Sequence, residues 1–68
     1  MKYTVVFERA PTNYGAYVPD LPGCIATGDT REEVEALIRE AISFHLEELK
    51  EQGESVPEPE AWAELIEA

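Results

Sequence analysis

The clearest structural signal in this sequence is the stretch Thr30 to Gly53, TREEVEALIREAISFHLEELKEQG. Thr30 and Glu33 have the spacing of a capping box, in which a hydroxyl and a carboxylate satisfy the free amides of the first helical turn. Good helix formers continue to Gln52, and Gly53 stands where a left-handed residue commonly follows a helix. The stretch therefore predicts one long helix.

One side of this helix is apolar over a wide arc. At about 100° per residue, seven side chains share one face. They are Val34, Leu37, Ile38, Ala41, Ile42, His45 and Leu49. Phe44 and Leu46 widen the arc on opposite sides, to roughly 200°. A helix lying on one sheet needs less apolar surface than this, so we expect Phe44 and Leu46 to contact another subunit.

The opposite side of the helix carries an acidic stripe formed by Glu33, Glu40, Glu47 and Glu51. It is open to two interpretations, a solvated face or a docking surface for a basic partner, and we expect these residues to contact the partner. The whole chain has 15 acidic and 5 basic residues and a net charge of -10. This charge disfavours direct nucleic-acid binding and favours encounter with a basic protein.

The sequence before the helix predicts three short strands. Tyr3 to Glu8 alternates in side-chain face, and Tyr14 to Val18 is a second β-prone run. The turn residues between them make an antiparallel hairpin the expected pairing. Cys24 to Thr27 forms the third predicted strand. After the helix, residues 61–67 have helical propensity but could equally form an edge strand.

The segment between the second and third strands is rich in turn residues. Pro22-Gly23 suits the central positions of a type II turn, and Asp20 can accept hydrogen bonds from nearby amides. We expect five residues to shape the turns around the third strand: Pro19, Asp20, Pro22, Gly23 and Gly28.

The residues give no positive sign of catalysis. The only cysteine is Cys24 and the only histidine is His45, so a metal site would lack ligands, and no phosphate-binding motif is present. The sequence predicts a protein that is not an enzyme and needs no cofactor. A core from 68 residues is small, so self-association is expected. No signal peptide or membrane-spanning stretch is apparent, and a cytoplasmic location follows as the expectation.

Four sequence pieces in register resemble the HicB family of antitoxins. They are the tract Val18-Pro-Asp-Leu-Pro-Gly-Cys24, the stretch Thr27-Gly-Asp-Thr30, the pair Glu32-Glu33, and Gly53-Glu-Ser-Val-Pro-Glu-Pro59. The resemblance implies an α+β fold in the order β-β-β-α-β, a partial ribonuclease-H-like domain. One long helix would pack on one face of a three- to four-stranded antiparallel sheet. By this analogy, residues 61–67 would form the fourth strand.

The resemblance also implies a function. HicB-like proteins bind HicA-like toxins, small basic ribonucleases that cleave messenger RNA, and neutralise them by direct complex formation. Many members add a C-terminal DNA-binding segment. We expect residues 1–68 to form a single domain without one. The alternatives are an oligomeric domain that binds another protein or a small ligand and, as a third class, residual nuclease activity through Asp20 and Asp29.

Overall fold

The computed structural model describes residues 1–68 and contains three strands followed by one helix. The elements are β1 (Val6–Arg9), β2 (Tyr14–Tyr17), β3 (Ile25–Gly28) and α1 (Arg31–Glu51). The predicted α+β arrangement of an antiparallel sheet and one long helix is confirmed. No helix combines the length and the apolar character that crossing a membrane requires.

The three strands form an antiparallel sheet in the order β1-β2-β3. Val6 pairs with Tyr17, and Tyr17 pairs with Ile25, so these three side chains form a row across the sheet. Because side chains alternate along a strand, this row lies on the face opposite to buried Ala16. Both β1 and β3 have one edge that no other strand covers.

The predicted helix boundaries are borne out by the contacts at each end. Thr30 precedes the helix in an extended conformation, and its hydroxyl accepts a hydrogen bond of 3.1 Å from the amide of Glu33. The Glu33 carboxylate does not return to the Thr30 amide; it lies over Gly28, where an added Cβ would come within 2.8 Å of Oε1. At the other end, Gly53 has φ +73° and its amide donates to Lys50.

The core is small and lies between α1 and two of the three strands. Six residues are buried: Ala16, Val18, Leu21, Cys24, Val34 and Ile38. α1 packs against β2 and β3 but not against β1. The helix is therefore displaced toward one side of the sheet, and the α1-facing side of β1 stays open.

The expected fourth strand is not formed, because residues 54–68 contain neither strand nor helix. Side chains, instead of a neighbouring strand, take up the backbone groups of this segment. The Tyr3 hydroxyl donates to the carbonyl of Pro57, and the Thr4 hydroxyl donates to the carbonyl of Ala61. The carbonyls of Pro57 and Ala61 are therefore bound by side chains and not by a neighbouring strand.

Candidate protein-binding surfaces

The exposed side of α1 brings together an aromatic residue and the middle of the acidic stripe. Phe44 has 66% of its surface exposed. Together with Glu40, Glu47, Arg39 and Ser43 it lines a shallow, open depression. Exposed aromatic rings are common anchors in protein interfaces, so Phe44 makes this side of α1 a candidate protein-binding surface.

The other stripe residues lie at the ends of α1. Glu33 is in the first turn, with its carboxylate over Gly28, and Glu51 is the last helical residue. Both are exposed. The centre of the acidic stripe, Glu40 and Glu47, is thus the part that surrounds Phe44.

Phe44 and Leu46 do not share a surface. Leu46 is half-buried and packs against the core cluster, whereas Phe44 projects from the exposed side of the helix. Subunit contact by these two residues stays a prediction. The fold makes Phe44 the more available of the pair.

The turn between β2 and β3 is built from backbone hydrogen bonds. The Cys24 amide donates to the Leu21 carbonyl, and Gly23 between them has φ +86°, as a type II turn requires. The Leu21 amide in turn donates to the Val18 carbonyl. The turn therefore closes without help from the Asp20 side chain.

Asp20 acts at a distance instead of within its own turn. One carboxylate oxygen, Oδ2, accepts hydrogen bonds of 3.1 Å from the amides of both Glu60 and Ala61. These amides lie 40 and 41 positions along the chain, so sequence proximity could not reveal the contact. Asp20 accepts hydrogen bonds from amides, as expected, but the prediction that these amides are nearby in the sequence was wrong.

Asp20 belongs to a group of three side chains that we call the tail anchor: Tyr3, Thr4 and Asp20. Together they make four hydrogen bonds to residues 57–61, including a 2.6 Å bond from the Tyr3 hydroxyl and a 2.7 Å bond from Thr4. Partial burial and the negative charges of Glu58 and Asp20 raise the pKa of the Tyr3 phenol. The phenol therefore keeps its proton, and can donate a hydrogen bond, at pH values above its ordinary pKa.

The open side of β1 forms a groove of about 280 Å³ beneath α1. Its floor is apolar, and Tyr3, Val5 and Phe7 face Ile38 and Ile42 across it. Phe7 also borders a second depression that continues toward Tyr14. We call this whole surface the β1 groove. Arg39 borders both this groove and the depression around Phe44, but Phe44 itself does not line the groove.

The soft ligands and turn carboxylates form no metal site. No three His, Cys, Asp or Glu side chains come close enough together to hold a metal ion. Cys24 is buried, and burial raises the pKa of its thiol. A buried thiol with a raised pKa is a poor nucleophile. The role of Cys24 is therefore packing in the hydrophobic core.

An acidic α+β domain with an exposed aromatic residue on its helix and an apolar groove along one strand has the features of a protein-binding module. Residues 3–68 match the family described as HicB-like antitoxin of bacterial toxin-antitoxin systems. The chain belongs to this family, and the resemblance stated from the sequence motifs is confirmed.

Individual relatives agree with this assignment. An uncharacterized 14.9 kDa protein of Haemophilus phage HP1 is 42% identical over 84% of this chain and 43% of its own. A UPF0150 protein of Thermoplasma acidophilum is 40% identical over 90% of both chains. Antitoxin HicB 2 of Photorhabdus laumondii is 33% identical over 97% of this chain and 48% of its own. The chain thus spans less than half of two of these relatives.

Proposed function

We propose that this protein is the antitoxin of a toxin-antitoxin pair and neutralises a small, basic, HicA-like ribonuclease by direct complex formation. It acts as a binding protein without catalysis of its own, in the cytoplasm, where messenger RNA is cleaved. Membership in the antitoxin family supports the role, and the observation that carries the proposal further is exposed Phe44 between Glu40 and Glu47.

This surface suits a basic ribonuclease for two physical reasons. Phe44 can bury its ring in a partner pocket, which supplies binding energy, while the neighbouring carboxylates can pair with arginine or lysine side chains that otherwise bind RNA. The net charge of -10 also increases the rate of encounter with a cationic partner. Binding there would place negative charge over the ribonuclease surface that RNA needs.

We also propose that the protein self-associates. Only six of its 68 residues are buried in the single chain, and several large apolar side chains are exposed. A second copy would cover apolar surface that this core cannot reach.

The first test is a pull-down of the tagged protein from its native host at moderate salt, followed by mass spectrometry. We expect one small basic protein whose cleavage of messenger RNA falls as the antitoxin is added. Recovery of only further copies of the chain would contradict the toxin-neutralising function and leave the oligomeric binding domain as the interpretation.

The surface is tested with the recovered partner. The double substitution Glu40→Lys and Glu47→Lys should weaken binding at least tenfold and reduce its salt dependence, and Phe44→Ala should weaken it by about 30-fold, the loss of one anchor residue. Asp29→Lys with Glu54→Lys is the matched control, because it makes the same charge change at exposed positions off this face. Equal losses in both double variants would show that only net charge matters.

A further inference from the structure

The β1 groove is an open depression lined mostly by apolar side chains. β1 has an uncovered edge, and α1 packs against β2 and β3 and not against β1. Edge strands with apolar flanks readily accept an added strand, because their amides and carbonyls already point outward. An extended segment could therefore pair with the backbone of β1 and at the same time fill the groove with its side chains.

The lining of the β1 groove carries three arginines and two glutamates, Glu8 and Glu35, so it is locally slightly positive in a protein that is strongly acidic as a whole. All three arginines of the chain border it: Arg39 beside Ile38 and Ile42, and Arg9 and Arg31 near Phe7 and Tyr14. Arg39 also pairs with Glu35 at 3.2 Å, but both side chains are largely exposed. The segment that fits this groove is therefore apolar with acidic residues between its apolar ones.

The chain itself contains a segment of that composition. Residues 61–67 read Ala-Trp-Ala-Glu-Leu-Ile-Glu, with no basic residue. In an extended strand, Trp62 and Ile66 would point to one side and Ala63 and Leu65 to the other. An added strand beside β1 would meet apolar side chains on both faces, Phe7 on one and Val6 on the other.

The tail anchor holds the start of this segment but does not fold it onto its own groove. The carbonyl of Ala61 is bound by Thr4, yet the next residue, Trp62, is already 77% exposed, and Leu65 is fully exposed. The segment thus leaves its own body directly after the anchor. Residues 57–61 are held by the tail anchor, and the apolar residues after them are exposed. This arrangement allows the segment to be exchanged between two copies.

We propose that residues 62–67 of one copy bind the β1 groove of a second copy, as a strand beside β1, and that the exchange is reciprocal. This deepens the self-association proposed above and does not depend on the toxin. Trp62 and Ile66 enter the groove on the Phe7 side with Glu64 between them, facing the arginines of the lining, and Leu65 packs beside Val6 on the other face. Phe44 and Glu40 do not line the groove, although Arg39 borders both surfaces.

The test measures mass and tryptophan environment of the full chain without any partner. Light scattering should give twice the 7.6 kDa chain mass, and fluorescence of Trp62, the single tryptophan, should shift to shorter wavelength as concentration rises through the dimer range. Phe7→Asp in the groove and Leu65→Asp in the tail should each raise the dissociation constant at least tenfold. Ile25→Asp, exposed on β3 and two strands away, should change it less than twofold.

Mixing the two variants separates exchange from every other arrangement. Phe7→Asp chains still donate an intact tail and Leu65→Asp chains still offer an intact groove, so the mixture should form a heterodimer where neither variant dimerises alone. Circular dichroism checks that each variant is folded. A monomer with Trp62 buried at all concentrations would mean that the tail fills its own groove and would overturn the proposal. Dimers that persist in both variants, or no gain on mixing, would overturn it equally.

Discussion

Replacing Asp20 with alanine should release residues 60 and 61 from the body of the protein while the sheet and helix stay folded. The Asp20 carboxylate is the common acceptor for two amides at 3.1 Å. A hydrogen bond to a charged group contributes about 1.5–3 kcal/mol, and partial exposure lets water replace part of it. We therefore expect the free energy of local opening to fall by about 2–3 kcal/mol for the pair of bonds.

Amide hydrogen exchange measured by NMR reports this opening directly. Since about 1.4 kcal/mol corresponds to a factor of ten, the amides of Glu60 and Ala61 should exchange roughly 30- to 150-fold faster in Asp20→Ala. Asp20→Asn keeps an uncharged acceptor and should give a smaller acceleration. Amides in β2 and in the middle of α1 should keep their rates, because their partners lie within the sheet and the helix.

Asp29→Ala is the matched control, because Asp29 is an exposed turn aspartate whose side chain makes no hydrogen bond. In Asp29→Ala, the amides of Glu60 and Ala61 should exchange at the same rates as in the protein without substitutions. If Asp20→Ala left those two amides unaffected but lowered the melting temperature, the carboxylate would act within its own turn, and the tail anchor would be refuted.

Three further changes test the helix start, the turn and the phenol. Thr30→Ala removes the acceptor of the Glu33 amide and should lower the free energy of unfolding by about 1 kcal/mol in urea titration. Gly23→Ala places a Cβ at φ +86° and should cost about 1–2 kcal/mol by the same assay. Tyr3→Phe tests pH dependence: folding raises the pKa of Tyr3 above its ordinary 10.0, so its contribution is complete below pH 10 and is lost as the pH rises through the folded value. In Tyr3→Phe the stability lost above pH 10 should therefore be smaller.

Each of these changes has a control in the same chain. Thr12→Ala alters an exposed loop threonine and should leave the unfolding free energy unchanged, as should Ala68→Gly at another exposed position. Tyr17→Phe removes an exposed hydroxyl without a hydrogen bond, and the alkaline decline should remain as it was. A decline equally reduced in Tyr17→Phe and Tyr3→Phe would contradict the role given to the Tyr3 hydroxyl.

The local elements could be read from the sequence because their causes are local. The helix from Arg31 to Glu51 follows from Thr30 before it, Gly53 after it and a 3.6-residue apolar period between them. The turn at Pro22-Gly23 follows from the backbone preferences of two adjacent residues. The family could be recognised for the same reason, since its motifs are these caps and turns at fixed spacing.

The placement of the helix over the sheet was not contained in those local patterns. A helical wheel identified an apolar arc too wide for one sheet, but it could not say that α1 would cover β2 and β3 and leave β1 open. It also treated Phe44 and Leu46 as equivalent, whereas packing buries part of Leu46 and leaves Phe44 in solvent. These differences depend on how α1 packs across the sheet.

Local spacing predicted the helix, the Pro22-Gly23 turn and the approximate positions of the strands, although β1 runs from Val6 to Arg9 and not from Tyr3 to Glu8, and the sequence motifs carried the resemblance to the family. Only the tertiary structure decided that Asp20 binds the amides of residues 60 and 61, and that the tail side chains Trp62, Leu65 and Ile66 stay exposed while β1 keeps an open apolar groove. The physical reason is distance along the chain. Contacts between residues 40 or more positions apart depend on how the layers pack, and no local pattern encodes that packing.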